Sequence, residues 1–114
     1  MERNQFSRMY GDNVVNADMA LALVKEHWSS LARTAERFGL YQRLDYLLHI
    51  PVEQMGPDNE QYRDICKNVR ENIFRALKNP YLTKKNKVYL LLFAAAPKFT
   101  RKIHRITMRV RGVE

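Results

Sequence analysis

The residues able to do chemistry are few and scattered. His27, His49 and His104 lie far apart in the chain, with none of the short helical spacings that set two imidazoles on one metal ion. Cys66 is the single cysteine; it offers no internal disulfide and falls on an apolar helical stripe, where a buried, inert thiol is expected. Glu53, Asp58, Glu60 and Asp64 gather acid around one loop, but their spacing fits no calcium loop and suits a solvated helix start. There is no glycine-rich phosphate loop and no Asp-x-Asp pair. No catalytic, cofactor-binding or metal-binding residue is assigned, and the chain reads as non-catalytic.

What the sequence does concentrate is positive charge. Residues 1–77 carry ten Lys/Arg and eleven Asp/Glu, a net −1, whereas residues 78–114 carry ten Lys/Arg and one acid, Glu114, a net +9. The whole excess of +8 therefore sits in the last third, which points to a localised electrostatic partner. Its densest part is "KFTRKIHRITMRVRG", residues 98–112, which contains no acid.

The elements that position this charge are helical. The chain is 114 residues long and 46% hydrophobic, with only four Gly and four Pro, enough for one globular domain with little material for a turn-rich β fold. Residues 1–15 show no sustained period and are expected to be irregular; residues 16–114 are expected to form a single helical domain. Asn16 is a good N-cap and Gly39 a possible terminator for a first helix with Ala20, Val24, Trp28, Leu31, Ala35 and Phe38 on one face. A shorter helix follows with Leu40, Leu44, Leu47 and Leu48, ended by Pro51. A third runs from near Asp58 to Lys78 on the stripe Tyr62, Ile65, Cys66, Val69, Ile73, Ala76 and Leu77. Thr83 caps a fourth through "KVYLLLFAAA", and Pro97 stops it and opens a fifth that Gly112 can end. The expected architecture is all-α, an irregular bundle of about five helices ending in a basic amphipathic helix. Trp28, Phe38, Tyr62 and Phe74 read as core aromatics. The longest apolar run, Val88 to Ala96, is about half of the ~20 residues that cross a bilayer, and the N-terminal stretch has no apolar core of the kind a signal peptide needs.

On a helical wheel the last segment separates its chemistry. Phe99, Ile103, Ile106 and Val110 fall within about 60° of one another, and Lys98, Arg101, Lys102, Arg105 and Arg109 within about 100° beside them. Three environments suit such a helix. The seam can dock on the bundle or a partner while the cations are solvated. The whole face can lie on an anionic membrane, where five cations at roughly 1 kcal/mol each give sub-millimolar binding. Nucleic acid fits least, because no aromatic side chains interleave the basic face for base stacking.

The stretch "KNPYLTKKNKVYLLLFAAAPKFTRKIHRI" resembles the C-terminal tail of bacterial family 2 glycosyltransferases. The matching residues are Asn79, Pro80, Leu82, Thr83, Lys84, Lys85, Lys87, Pro97 and Arg101. "VVNADMALALVKEHWSSLARTAERFGLYQRLDYLL" is similar in style to the helical region that follows the catalytic domain in that family. The resemblance implies an accessory helical part, excised or split from an enzyme whose nucleotide-sugar-binding domain, Asp-x-Asp motif and catalytic carboxylate are not in this sequence. No family catalytic residue maps onto any position here. It also implies lipid-linked acceptors at the cytoplasmic membrane face.

The expectation is thus a non-catalytic helical domain docking such an enzyme at the cytoplasmic face of the plasma membrane. Lys98, Arg101, Lys102, Arg105 and Arg109 would contact the anionic surface, Phe99, Ile103, Ile106 and Val110 would insert shallowly, and Lys84, Lys85 and Lys87 would add a second contact. No cofactor is expected. The partners implied are an anionic membrane and a glycosyltransferase catalytic domain in cis or in trans. The alternatives are a protein-interaction or oligomerisation module and, less favoured, a non-specific nucleic-acid binder.

Overall fold

The computed structural model describes residues 3–112, with side chains from Gln5 onward, and is all-α with no strand among them. In chain order the helices are α1 (Arg3–Phe6), α2 (Asp12–His27), α3 (Ala32–His49), α4 (Glu60–Glu71), α5 (Ile73–Lys78), α6 (Lys84–Ala95) and α7 (Pro97–Val110). A π-helical turn, Ser7–Gly11, joins α1 to α2. Among the described residues five helices have twelve residues or more, in agreement with the bundle of about five read from the sequence.

The N-terminal segment differs from expectation. It is helical from Arg3 and closes one end of the core: Phe6 is fully buried, its ring 4.8 Å from Tyr10 and 4.7 Å from Tyr46. Tyr10 in turn stacks on His49 at 5.4 Å. Phe6 and Tyr10 stand four residues apart, a spacing that sets both on one helical face, but a single such pair is too short a pattern to show a sustained period.

The expected first helix is two helices. The backbone breaks at Trp28 (φ −141°, ψ 64°), a short 3-10 turn covers Ser29–Leu31, and α3 then runs unbroken through Gly39. Gly39 is therefore not a terminator. It is a buried helix-interior glycine beside the Arg43–Asp18 pair; a Cβ there would meet Arg43 Nη1 at 3.4 Å and Asp18 Oδ1 at 3.8 Å, ordinary contact distances. That pair closes at 2.7 Å and ties α2 to α3 as an antiparallel hairpin.

The break also resets which side chains face inward. Leu40, Leu44 and Leu47 are buried on α3, and Phe38, about 200° from Leu40 on the wheel, is exposed. Trp28 sits at the break and is exposed, as is Phe74. These three aromatics are not core; of the four expected, Tyr62 is. Around it the stripe of the third predicted helix is buried through Ile65, Cys66, Val69, Ile73 and Ala76, although a break at Asn72 (φ −108°, ψ 10°) divides that helix into α4 and α5.

Capping side chains fix the starts of α4 and α6. Asn59 Oδ1 accepts from Tyr62 N at 3.2 Å while its Nδ2 donates to Gln54 O, and Thr83 Oγ1 accepts from Asn86 N at 3.1 Å. Each such cap contributes about 1 kcal/mol. Asn79 is buried between elements: its Nδ2 donates to Arg33 O at 3.0 Å and its Oδ1 accepts from Tyr81 N at 2.9 Å. Leu82 enters the core. The Asn-Pro-x-Leu-Thr stretch is thus a clamp, a plug and a cap that together turn the chain from α5 into α6.

Candidate functional site

The basic helix α7 starts and stops where its sequence dictates. Pro97 occupies the first helical turn, and Gly112 ends it with φ +72°, a conformation that favours glycine. A single residue, Ala96, separates α7 from α6 and turns the chain at φ −151°, ψ 78°.

An amphipathic helix in a water-soluble bundle ordinarily turns its apolar stripe inward. α7 does the reverse. Its seam residues are among the most exposed large apolar side chains described: Phe99 at 65%, Ile103 at 48%, Ile106 at 59% and Val110 at 82%. The inward face is polar. Thr100 is buried and donates back to Ala96 O at 2.7 Å, Arg101 is only 6% exposed, and His104 meets the Tyr89 ring edge-on at 5.9 Å.

Arg101 therefore leaves the cationic set assigned from the sequence. It lies at the far edge of the basic arc, about 170° from the seam, so turning the seam outward turns Arg101 inward. Its Nε donates to Ile50 O at 3.0 Å, the carbonyl just past the C-terminus of α3, where the helix dipole favours a cation. This is an anchoring contact rather than a surface one.

The other cations stay on the rim. Lys98, Lys102 and Arg109 are exposed and Arg105 is half-buried; among the described residues none of the four is paired with a carboxylate. Lys84 and Lys85 are exposed in the first turn of α6, and Lys87 is half-buried. The result is an uncovered apolar ridge flanked on one side by four unneutralised cations.

Two further apolar faces are uncovered. α6 leaves Val88, Leu91 and Leu92 exposed, and α2 leaves Val15, Met19 and Leu23 exposed on the side away from α3. Among the described residues the α6 face also has cations beside it, Lys84 and Lys85 in its first turn, but the α7 ridge has the larger flank, Lys98, Lys102, Arg105 and Arg109.

Among the described residues, no three His, Cys, Asp or Glu side chains come together in a way that could hold a metal ion. Cys66 is buried, and burial raises its thiol above the ordinary value. Glu53, Asp58, Glu60 and Asp64 are all exposed. Among the described residues no helix is long and apolar enough to cross a membrane.

Sequence reading missed Arg43 and Asp18. The signal was present: Arg43 stands among Leu40, Leu44 and Leu47 on the inward stripe of α3, and a charge at such a position calls for a partner. It also missed that Met55, Tyr62 and Arg63 border α7, which no periodicity could have revealed.

Comparison with protein-family models, with curated proteins and with solved structures returned no match for this chain.

Proposed function

We propose that this chain is a non-catalytic helical module that docks on an anionic membrane surface through α7. The observation that carries this reading is the outward seam of Phe99, Ile103, Ile106 and Val110 beside Lys98, Lys102, Arg105 and Arg109. Contiguous exposed apolar patches mark interaction surfaces, and an apolar ridge with a cationic flank matches the headgroup–acyl boundary of an anionic leaflet.

The magnitudes favour a surface that offers both chemistries. Four cations at about 1 kcal/mol each reach only about millimolar affinity. Seating four partly exposed apolar side chains, at about 1 kcal/mol each, brings the total near 8 kcal/mol, or about micromolar. Polyanions without an apolar phase provide the first contribution and not the second.

The resemblance of the Asn79–Arg105 stretch to the tail of family 2 glycosyltransferases supplies the proposed beneficiary, a catalytic domain held beside a lipid-linked acceptor at the cytoplasmic membrane face. That assignment rests on the sequence motif; the docking reading rests on α7 and stands without it.

The test is an environment-sensitive dye on Ile106→Cys, with buried Cys66 as the unlabelled background. Anionic vesicles should blue-shift its emission and zwitterionic vesicles should not. An unshifted emission with saturating anionic vesicles contradicts shallow insertion.

A further inference from the structure

A groove opens where α7 begins. Met55 and Tyr62 border it, Ala96 and Phe99 line it from the α6–α7 corner, and Arg63 and Lys98 bring two cations to it; its volume is about 510 Å³ and none of its lining residues is acidic. Met55 and Tyr62 are almost fully buried, whereas Phe99, Arg63 and Lys98 are exposed. An apolar groove with a few convergent polar groups is the ordinary form of a small-molecule site, and its volume lies within the usual range of about 300–1,000 Å³.

We infer that this groove takes one acyl chain of an anionic phospholipid, with the lipid phosphate between Arg63 and Lys98. Two features favour this occupant. The groove shares Phe99 and Lys98 with the ridge proposed to meet the membrane, so a lipid drawn from the leaflet reaches it without crossing water. Its cations lack a carboxylate among the lining residues, and a guanidinium with an ammonium suits a phosphate diester. The site rests on the docking reading and deepens it: α7 would provide general adhesion, and the groove would select one phosphate-bearing lipid.

Dihexanoyl phosphatidylglycerol kept below its micelle concentration tests this, because a monomeric lipid presents a chain and a phosphate without a surface. Calorimetric titration into the whole chain should show saturable binding at one site. Glycerol phosphate, the headgroup alone, should bind at least tenfold more weakly, and so should the zwitterionic phosphatidylcholine of equal chain length.

Ala96→Gln fills the groove with a polar side chain at an exposed corner and should weaken monomer binding about tenfold while leaving vesicle association through the ridge intact. Arg63→Gln, on α4 and outside the ridge, should weaken phosphatidylglycerol binding about tenfold. Circular dichroism checks that both variants fold, and if one does not, the other carries the test. Absence of saturable binding, equal binding of glycerol phosphate, or binding indifferent to the folded variants overturns the site. Because vesicle association is scored separately, the groove can fail while docking stands, and docking can fail while a monomeric lipid still binds.

Discussion

Arg101 Nε donates to Ile50 O at 3.0 Å, joining positions 51 residues apart in the chain. This contact goes with the rotation of α7, together with buried Thr100 and the His104–Tyr89 contact. With Arg101 inward at the end of α3, the seam on the opposite side of the helix faces out.

Arg101→Ala should therefore cost about 2–3 kcal/mol of stability, the range for a buried charge-assisted hydrogen bond, and lower Tm by about 10 °C. Lys102→Ala, next in sequence but exposed, should stay within about 0.5 kcal/mol. Thermal unfolding followed by circular dichroism distinguishes them; equal effects would remove the distinction between anchor and rim.

Phe6→Ala should destabilise by about 3–5 kcal/mol, as expected for deleting a buried aromatic. The ring is fully buried between Tyr10 and Tyr46, and urea unfolding measures the loss. A change below about 1 kcal/mol would mean that the N-terminal helix does not close the core.

Asn79→Ala removes both hydrogen bonds that link the α5–α6 turn to Arg33 O and Tyr81 N. The buried groups left behind should cost about 2 kcal/mol. Amide hydrogen exchange should show faster opening of α6 and α7 than of α4 in this variant.

Stability should fall as pH rises above about 9. Burial raises the Cys66 thiol above its ordinary value of 9.0 and the Tyr62 hydroxyl above its ordinary value of 10.0. The unfolded chain releases these protons first, so it binds fewer protons than the folded state and gains as pH increases. The full contribution is present below the ordinary values and is lost as pH climbs from them towards the folded ones. Tm at pH 10 should be lower than at pH 7, and Cys66→Ala should reduce that difference; a pH-independent Tm would contradict it.

Legibility of the fold followed local signals. Thr83, Pro97 and Gly112 announce their positions through cap chemistry, a missing donor and a positive φ, and the start of α6 and both ends of α7 lie where they indicate. The stripe from Tyr62 to Ala76 was readable because one face of α4 and α5 meets the core. The break at Trp28 carries neither Pro nor Gly, and Gly39 resembles a terminator but lies in the interior of α3, so neither position could be read from local residue type. The ridge residues could be named from periodicity, but their direction could not. A wheel gives relative angles within a helix, and contacts with the bundle, Arg101 with Ile50 O and His104 with Tyr89 among them, fix those angles.

The most direct measurement is co-sedimentation of the chain with anionic and with zwitterionic vesicles, at low and at physiological salt, alongside a variant with Lys98, Lys102, Arg105 and Arg109 all replaced by Glu. Membrane docking predicts binding to anionic vesicles alone, weaker at higher salt, and abolished in a variant that keeps its helicity. Equal binding to both vesicle types, or undiminished binding of the charge-reversed variant, would contradict the account.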